Sequence, residues 1–144
     1  MSRSGYTDDC DNDWRWVMWR GAVAQATAGK RGQAFLREML TALDAMPAKQ
    51  LIAHDLVVPP PDFIPPNTMP LVCAIGAVGL ARGVDMTDVD PEDPERVAKM
   101  FGIAPALAAE IVYMNDENYY RSAEARWTRV REWVATQIRA RSRE

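Results

Sequence analysis

Apolar residues recur at three- and four-residue steps through most of the chain. From 32 to 46, Phe35, Leu36, Met39, Leu40, Leu43 and Met46 share one face, with Arg37, Glu38, Thr41 and Asp44 opposite. That is the pattern of an amphipathic helix, and Pro47 ends it. The stretch before it, "DNDWRWVMWRGAVAQAT", predicts a helix capped by Asp11, Asn12 or Asp13. Trp14, Trp16, Val17, Met18, Trp19, Ala22 and Val23 cover most of its circumference. A helix apolar nearly all round either sits at the centre of a core or offers one side to a partner.

"QLIAHDLVV" and "MPLVCAI" carry the strand signals, being rich in Leu, Ile and Val. Between them lies "PPPDFIPPNT", in which five of ten residues are proline. Proline is excluded from central strands, so the pattern predicts a short two-stranded hairpin with a stiff loop over 59–70, carrying Phe63 and Ile64 at its tip. A helix over 73–82 follows, closed by Gly83 in the left-handed conformation. Asp93 and Pro94 make a strong helix start, Gly102 ends that helix, and Pro105 opens another to about Met114. A last helix begins near Ser122 and buries Trp127, Val130, Val134 and Ile138. The fold class expected is mainly α (α+β): about six helices and a small hairpin in a single compact domain over 11–140, after a flexible leader at 1–10.

The 144 residues suit one domain, and with 48% hydrophobic and 26% charged residues the chain has a globular balance. A net charge of −3 supplies no global attraction for nucleic acid. Charge is nevertheless segregated. Acidic residues cluster at Asp8–Asp13 and again at Asp85–Glu95, whereas Arg121, Arg126, Arg129, Arg131, Arg139, Arg141 and Arg143 dominate the last segment. Such segregation serves internal pairing or a complementary partner. No apolar run approaches the roughly 18 residues that span a bilayer, and no secretory leader is recognisable, so a cytoplasmic setting without membrane attachment is expected. One histidine and two distant cysteines make no standard zinc site, and no cofactor is expected.

Three constellations invite a chemical reading. "RVAKMFGIAPALAAEIV" has the spacing of a helix-turn-helix, with Gly102 at the turn. Its second helix, however, offers no Arg, Lys, Asn or Gln for base edges and sets Glu110 against phosphates. A plain helical hairpin is the better reading. Cys73 opens a helix, a position that favours thiolate; with His54, and with Asn115 or Asp116 to orient it, a Cys-His-Asn set is conceivable. Against that, Leu71, Val72, Ala74 and Ile75 surround Cys73 with apolar groups, which favours an inert packing role.

The third is "AGKRGQAF". Gly29 is expected to end one helix in a left-handed conformation and Gly32 to start the next, with Lys30 and Arg31 standing near a helix N-terminus. Free N–H groups there favour anions, while cations are unfavourable for that helix alone. The glycine spacing is not that of a P-loop. Two readings stay open: a turn whose cations are solvated or bridge to the acidic 85–95 loop, and recognition of a phosphate or an acidic partner.

The boxes "WRGAV", "GKRGQAFLREML", "ALDAMPAKQLIA", "VCAIGAVGLARGVD", "FGIAPALAAEIVYMNDE" and "RWTRVREWVATQI" together resemble small uncharacterised proteins encoded by phages and prophages of proteobacteria. The resemblance runs from Trp14 to Ile138 and rests on the GKRGQ, Cys-x-x-Gly-Ala and Asn-Asp boxes; the last two also resemble uncharacterised actinobacterial proteins. The proline-rich 59–66 stretch departs from the pattern and looks like an insertion. The resemblance implies a phage accessory protein of the host cytoplasm. Its expected partner is a host protein or nucleoprotein complex, which it binds and inhibits without catalysis, in the manner of an anti-defence (anti-CRISPR-like) inhibitor. Trp16, Trp19, Lys30, Arg31, Phe63, Ile64, Arg126 and Arg129 are the expected partner-binding residues, since Trp and Arg dominate binding energy at interfaces. Nucleotide or nucleic-acid binding through the GKRG turn is the alternative, and a cysteine-dependent enzyme comes last.

Overall fold

The computed structural model describes residues 13–65, 67–117 and 119–139. The expected leader with Cys10, and the cap candidates Asp11 and Asn12, lie outside them. Among the described residues six helices stand in chain order: α1 (Asp13–Ala28), α2 (Lys30–Ala45), α3 (Ala74–Arg82), α4 (Pro94–Phe101), α5 (Pro105–Asp116) and α6 (Ala123–Gln137). Between α2 and α3, strands β1 (Val57–Val58) and β2 (Leu71–Val72) pair antiparallel, Val57 with Val72 and Val58 with Leu71. The mainly α fold with a minor hairpin is as the sequence predicts.

Most helix ends follow from the residue at the end. Asp93 caps α4 by accepting from the Arg96 N–H at 3.2 Å, with Pro94 in the first turn. Ser122 caps α6 by accepting from the Ala125 N–H at 3.0 Å. Gly83 and Gly102 close α3 and α4 at φ 71° and 73°, where a Cβ would be strained.

α5 is the centre. Its Leu107, Ala108, Ala109, Ile111 and Val112 are buried, and α1, α3, α4 and α6 all pack against it. α2 lies across α3 and α6, contributing Leu36, Met39 and Leu43 to a core shared with Leu51, Ile75, Val78, Val97, Val130 and Val134. Each such side chain contributes roughly 1.5–3 kcal/mol on burial. Of the residues α6 was expected to bury, Val130 and Val134 are enclosed, while Trp127 and Ile138 are half-buried at the core's edge. Phe35 and Phe101 meet edge to face at 5.9 Å. The Arg82 guanidinium lies over both rings and bonds both oxygens of Glu38, at 2.7 and 2.6 Å.

Among the described residues no single helix is long and apolar enough to cross a membrane; α4 and α5 pass that test only as a pair bent by 109°.

Candidate functional site

From Trp19 onward, every fourth residue of α1 faces inward, at Trp19, Val23 and Thr27. Trp19 and Val23 pack on Ala109 of α5, and Arg20 donates to the buried Glu110 carboxylate at 2.8 Å. The other side is uncovered: Trp14 is 69% exposed, Val17 60% and Met18 54%. These three fall at i, i+3 and i+4, one stripe of a helix. Trp16, two residues from Trp14 and so off this stripe, is partly exposed, with the Arg20 guanidinium 5.9 Å from its ring centre. Trp19, expected to bind a partner, is instead only 7% exposed. Val23 and Ala109 enclose its ring, and its indole N–H has no partner among the described residues.

The GKRG turn differs from expectation in its backbone. Gly29 is extended, at φ −67° and ψ 163°, and caps α2, which already begins at Lys30. Gly32 is buried inside the first turn, where a Cβ would lie 1.9 Å from the carbonyl oxygen of Ala26. Close approach of α1 to α2 is therefore what requires that glycine. Lys30 and Arg31 are exposed, and the polar contact Arg31 makes is a long one, 3.5 Å to the Gly102 carbonyl. Neither forms an ion pair with the 85–95 loop. Three of its carboxylates accept from local N–H groups: Asp85 from Thr87, Asp90 from Glu92 and Asp93 from Arg96.

At the hairpin tip Phe63 is 86% exposed and Ile64 is half-buried. The C-terminal arginines divide. Arg126 is turned inward, its Nε donating to the Asn115 carbonyl at 2.9 Å while its guanidinium lies 5.0 Å from the Tyr120 ring centre. It braces the end of α5 while staying half-exposed. Arg131 grips both oxygens of Asp44, at 2.8 and 3.1 Å. Arg129 stays exposed.

Cys73, His54, Asn115 and Asp116 do come close in the fold, but not as a nucleophile and its base. The Cys73 sulfur caps α3 by accepting from the Gly76 N–H at 3.3 Å. Burial pushes the thiol up to about 12, with the Asp116 carboxylate pushing the same way against the Gly76 bond. Desolvation thus outweighs the helix-start effect. The Asn115 amide is committed elsewhere, accepting from the Ala74 N–H at 3.1 Å and donating to the Ile52 carbonyl at 2.8 Å and to Asp116 Oδ1 at 2.7 Å. The exposed His54, held at φ 72°, places Nδ1 3.9 Å from Asp116 Oδ2. Cys73 in the folded protein is expected to resist iodoacetamide in a Cys10→Ser background, and to label only as fast as the chain unfolds. Rapid labelling with a midpoint below about pH 7 would overturn that assignment.

The helix-turn-helix spacing yields a real corner, the axes of α4 and α5 turning through 109° at Gly102. Yet Leu107 to Val112 is buried without interruption, so the element in the recognition-helix position is not free to enter a DNA groove. Among the described residues no group of three or more His, Cys, Asp or Glu side chains is placed to hold a metal.

Gln33 escaped notice in the sequence. Its amide donates to the carbonyls of Thr27 at 2.8 Å and Gln137 at 2.9 Å, and accepts from the Arg139 N–H at 2.8 Å, tying α1, α2 and the end of α6. One signal was available, a polar residue three before Leu36 on the buried stripe. The chain matches no protein-family model, and neither a curated protein nor a solved structure is significantly similar to it.

Proposed function

We propose that this chain is a non-enzymatic phage accessory protein that binds a host protein and blocks its action by surface contact. The observation that carries the reading is the uncovered stripe Trp14, Val17 and Met18 on a helix whose opposite side is docked on α5. An amphipathic helix with anchors at i, i+3 and i+4 suits the groove of a partner, and a contiguous exposed apolar patch marks such surfaces. Trp is among the residues that dominate binding energy. Exposed Phe63 is a second apolar anchor, and the likeness to phage-encoded proteins supplies the host as the source of the target. A defence complex is the class of target that this likeness implies.

Affinity capture from a proteobacterial host lysate tests the reading. A host protein is expected on the wild-type chain, with its activity reduced by the added protein. The Trp14→Ala, Val17→Ser, Met18→Ser variant is expected to lower affinity about thirtyfold or more. Its substitutions are at exposed positions, so the fold should survive, as circular dichroism would verify. Capture unchanged by the triple variant, or no captured host protein, would refute the proposal.

A further inference from the structure

We propose that the groove between the α5–α6 connection and the exposed face of α6 is a nucleotide site, the Tyr119 and Trp133 rings taking the base and Arg121 and Arg129 taking the phosphate. The groove has a volume of about 840 Å³ and is lined by Tyr119, Tyr120, Arg121, Arg129, Glu132 and Trp133, among others. That size falls within the range of small-molecule sites. Tyr119 is 96% exposed, a large ring standing in water at the rim. Trp133 is half-buried and rooted in the core, so one wall is rigid. Aromatic faces beside cations are the platform on which bases stack, and stacking is tolerant of base identity.

Several arginines elsewhere on the surface are committed to partners within the fold. Arg20, Arg82 and Arg131 each hold a carboxylate, and Arg126 holds a backbone carbonyl. Arg121 and Arg129 are exposed and make no ion pair or hydrogen bond among the described residues. Two unspent guanidiniums on one groove suit the bidentate geometry of a phosphate. Glu132 stands in the same wall, three residues from Arg129 and thus a neighbour on the helix face. Its carboxylate repels phosphate and accepts from N–H donors, which turns the base edge towards it and the phosphate towards the arginines. A base that presents ring N–H and amino donors, as guanine does, fits that division. The site is separate from the uncovered face of α1 and uses none of the three residues on which the proposed function rests.

Calorimetric titration of the full chain with GMP, guanosine, inorganic phosphate and a short single-stranded oligonucleotide tests the proposal. GMP is expected to bind saturably and more tightly than guanosine or phosphate. Tyr119→Ala should weaken it about tenfold. Arg121→Gln with Arg129→Gln should weaken it by a similar factor and flatten its salt dependence. Lys30→Ala with Arg31→Ala should change nothing, since the GKRG turn is not part of this groove. Tighter binding of the oligonucleotide than of GMP would assign the ligand to a strand, and equal binding to a free nucleotide; both uphold the site. No saturable binding of either below 1 mM, GMP binding no tighter than phosphate, or affinity indifferent to the Tyr119 and arginine variants would overturn it.

Discussion

Gly76→Ala is expected to cost the fold about 3 kcal/mol or more, at the upper end of what overpacking does. Gly76 sits in the first turn of α3, and a Cβ there would lie 1.8 Å from the carbonyl oxygen of Leu56 and 3.1 Å from the Cβ of Val72. No flexible side chain can swing aside, because the obstacle is backbone. That same Leu56 carbonyl accepts from the Cys73 N–H at 3.2 Å, so moving it away breaks the tie between the hairpin and the start of α3. A domain of this size has only about 5–15 kcal/mol of net stability, which makes the loss a large fraction. Urea denaturation is the measurement. Gly21→Ala is the control: its Cβ meets nothing within 4 Å, and inside a helix alanine should gain up to about 1 kcal/mol. A Gly76→Ala protein within about 0.5 kcal/mol of wild type would show that the close approach is not obligatory.

Asn115→Ala should be the second large effect, a loss of about 3 kcal/mol. The side chain satisfies three partners at once, two of them buried: the Ala74 N–H and Asp116 Oδ1, with the half-buried Ile52 carbonyl as the third. Alanine would leave all three unanswered in a place from which water is largely excluded, at a cost of about 1–3 kcal/mol per polar group, reduced where water enters the cavity. Asp116 would lose the donor that holds its carboxylate towards His54, which stands 3.9 Å away. Thermal and urea unfolding should both report the loss, with the helical content of the folded state unchanged. Should Asn115→Ala match wild type in both, the amide is not the brace that joins α5 to α3 and to the 51–52 segment.

Most helix ends were legible because each is decided by residues in its own last or first turn. The α1–α2 junction was not, since Gly32 answers to the packing of α1 on α2 and Gly29 is extended. Asp93 with Pro94, Gly102, Gly83 and Ser122 behave as local capping rules require. The hairpin was legible too, although each strand shrinks to two residues, Val57–Val58 and Leu71–Val72. Ile52, part of the predicted first strand, does not join the sheet. Its N–H reaches the Val72 carbonyl at 3.0 Å from an irregular segment in which His54 adopts φ 72°. The cysteine set was suggested by order along the chain, and proximity alone held; the thiol's burial and the commitments of Asn115 separate it from nucleophile chemistry. Of the expected interface residues, Lys30, Arg31, Trp16, Phe63 and Arg129 are exposed, Ile64 and Arg126 are half-buried, and Trp19 is buried.

Sequence alone determined that this chain is a set of about six helices with one minor hairpin, because periodicity, caps, proline and glycine act over three or four residues. Tertiary structure decided which flank of the tryptophan-rich helix is covered, why Gly32 is a glycine, and what the arginines hold. Those outcomes join residues far apart in the chain: Asn115 to Ala74 across 41 positions, and Gln33 to Gln137 across 104. A helical face shows that it is apolar. Only the packing of distant elements shows which part of that face is left for something else to cover.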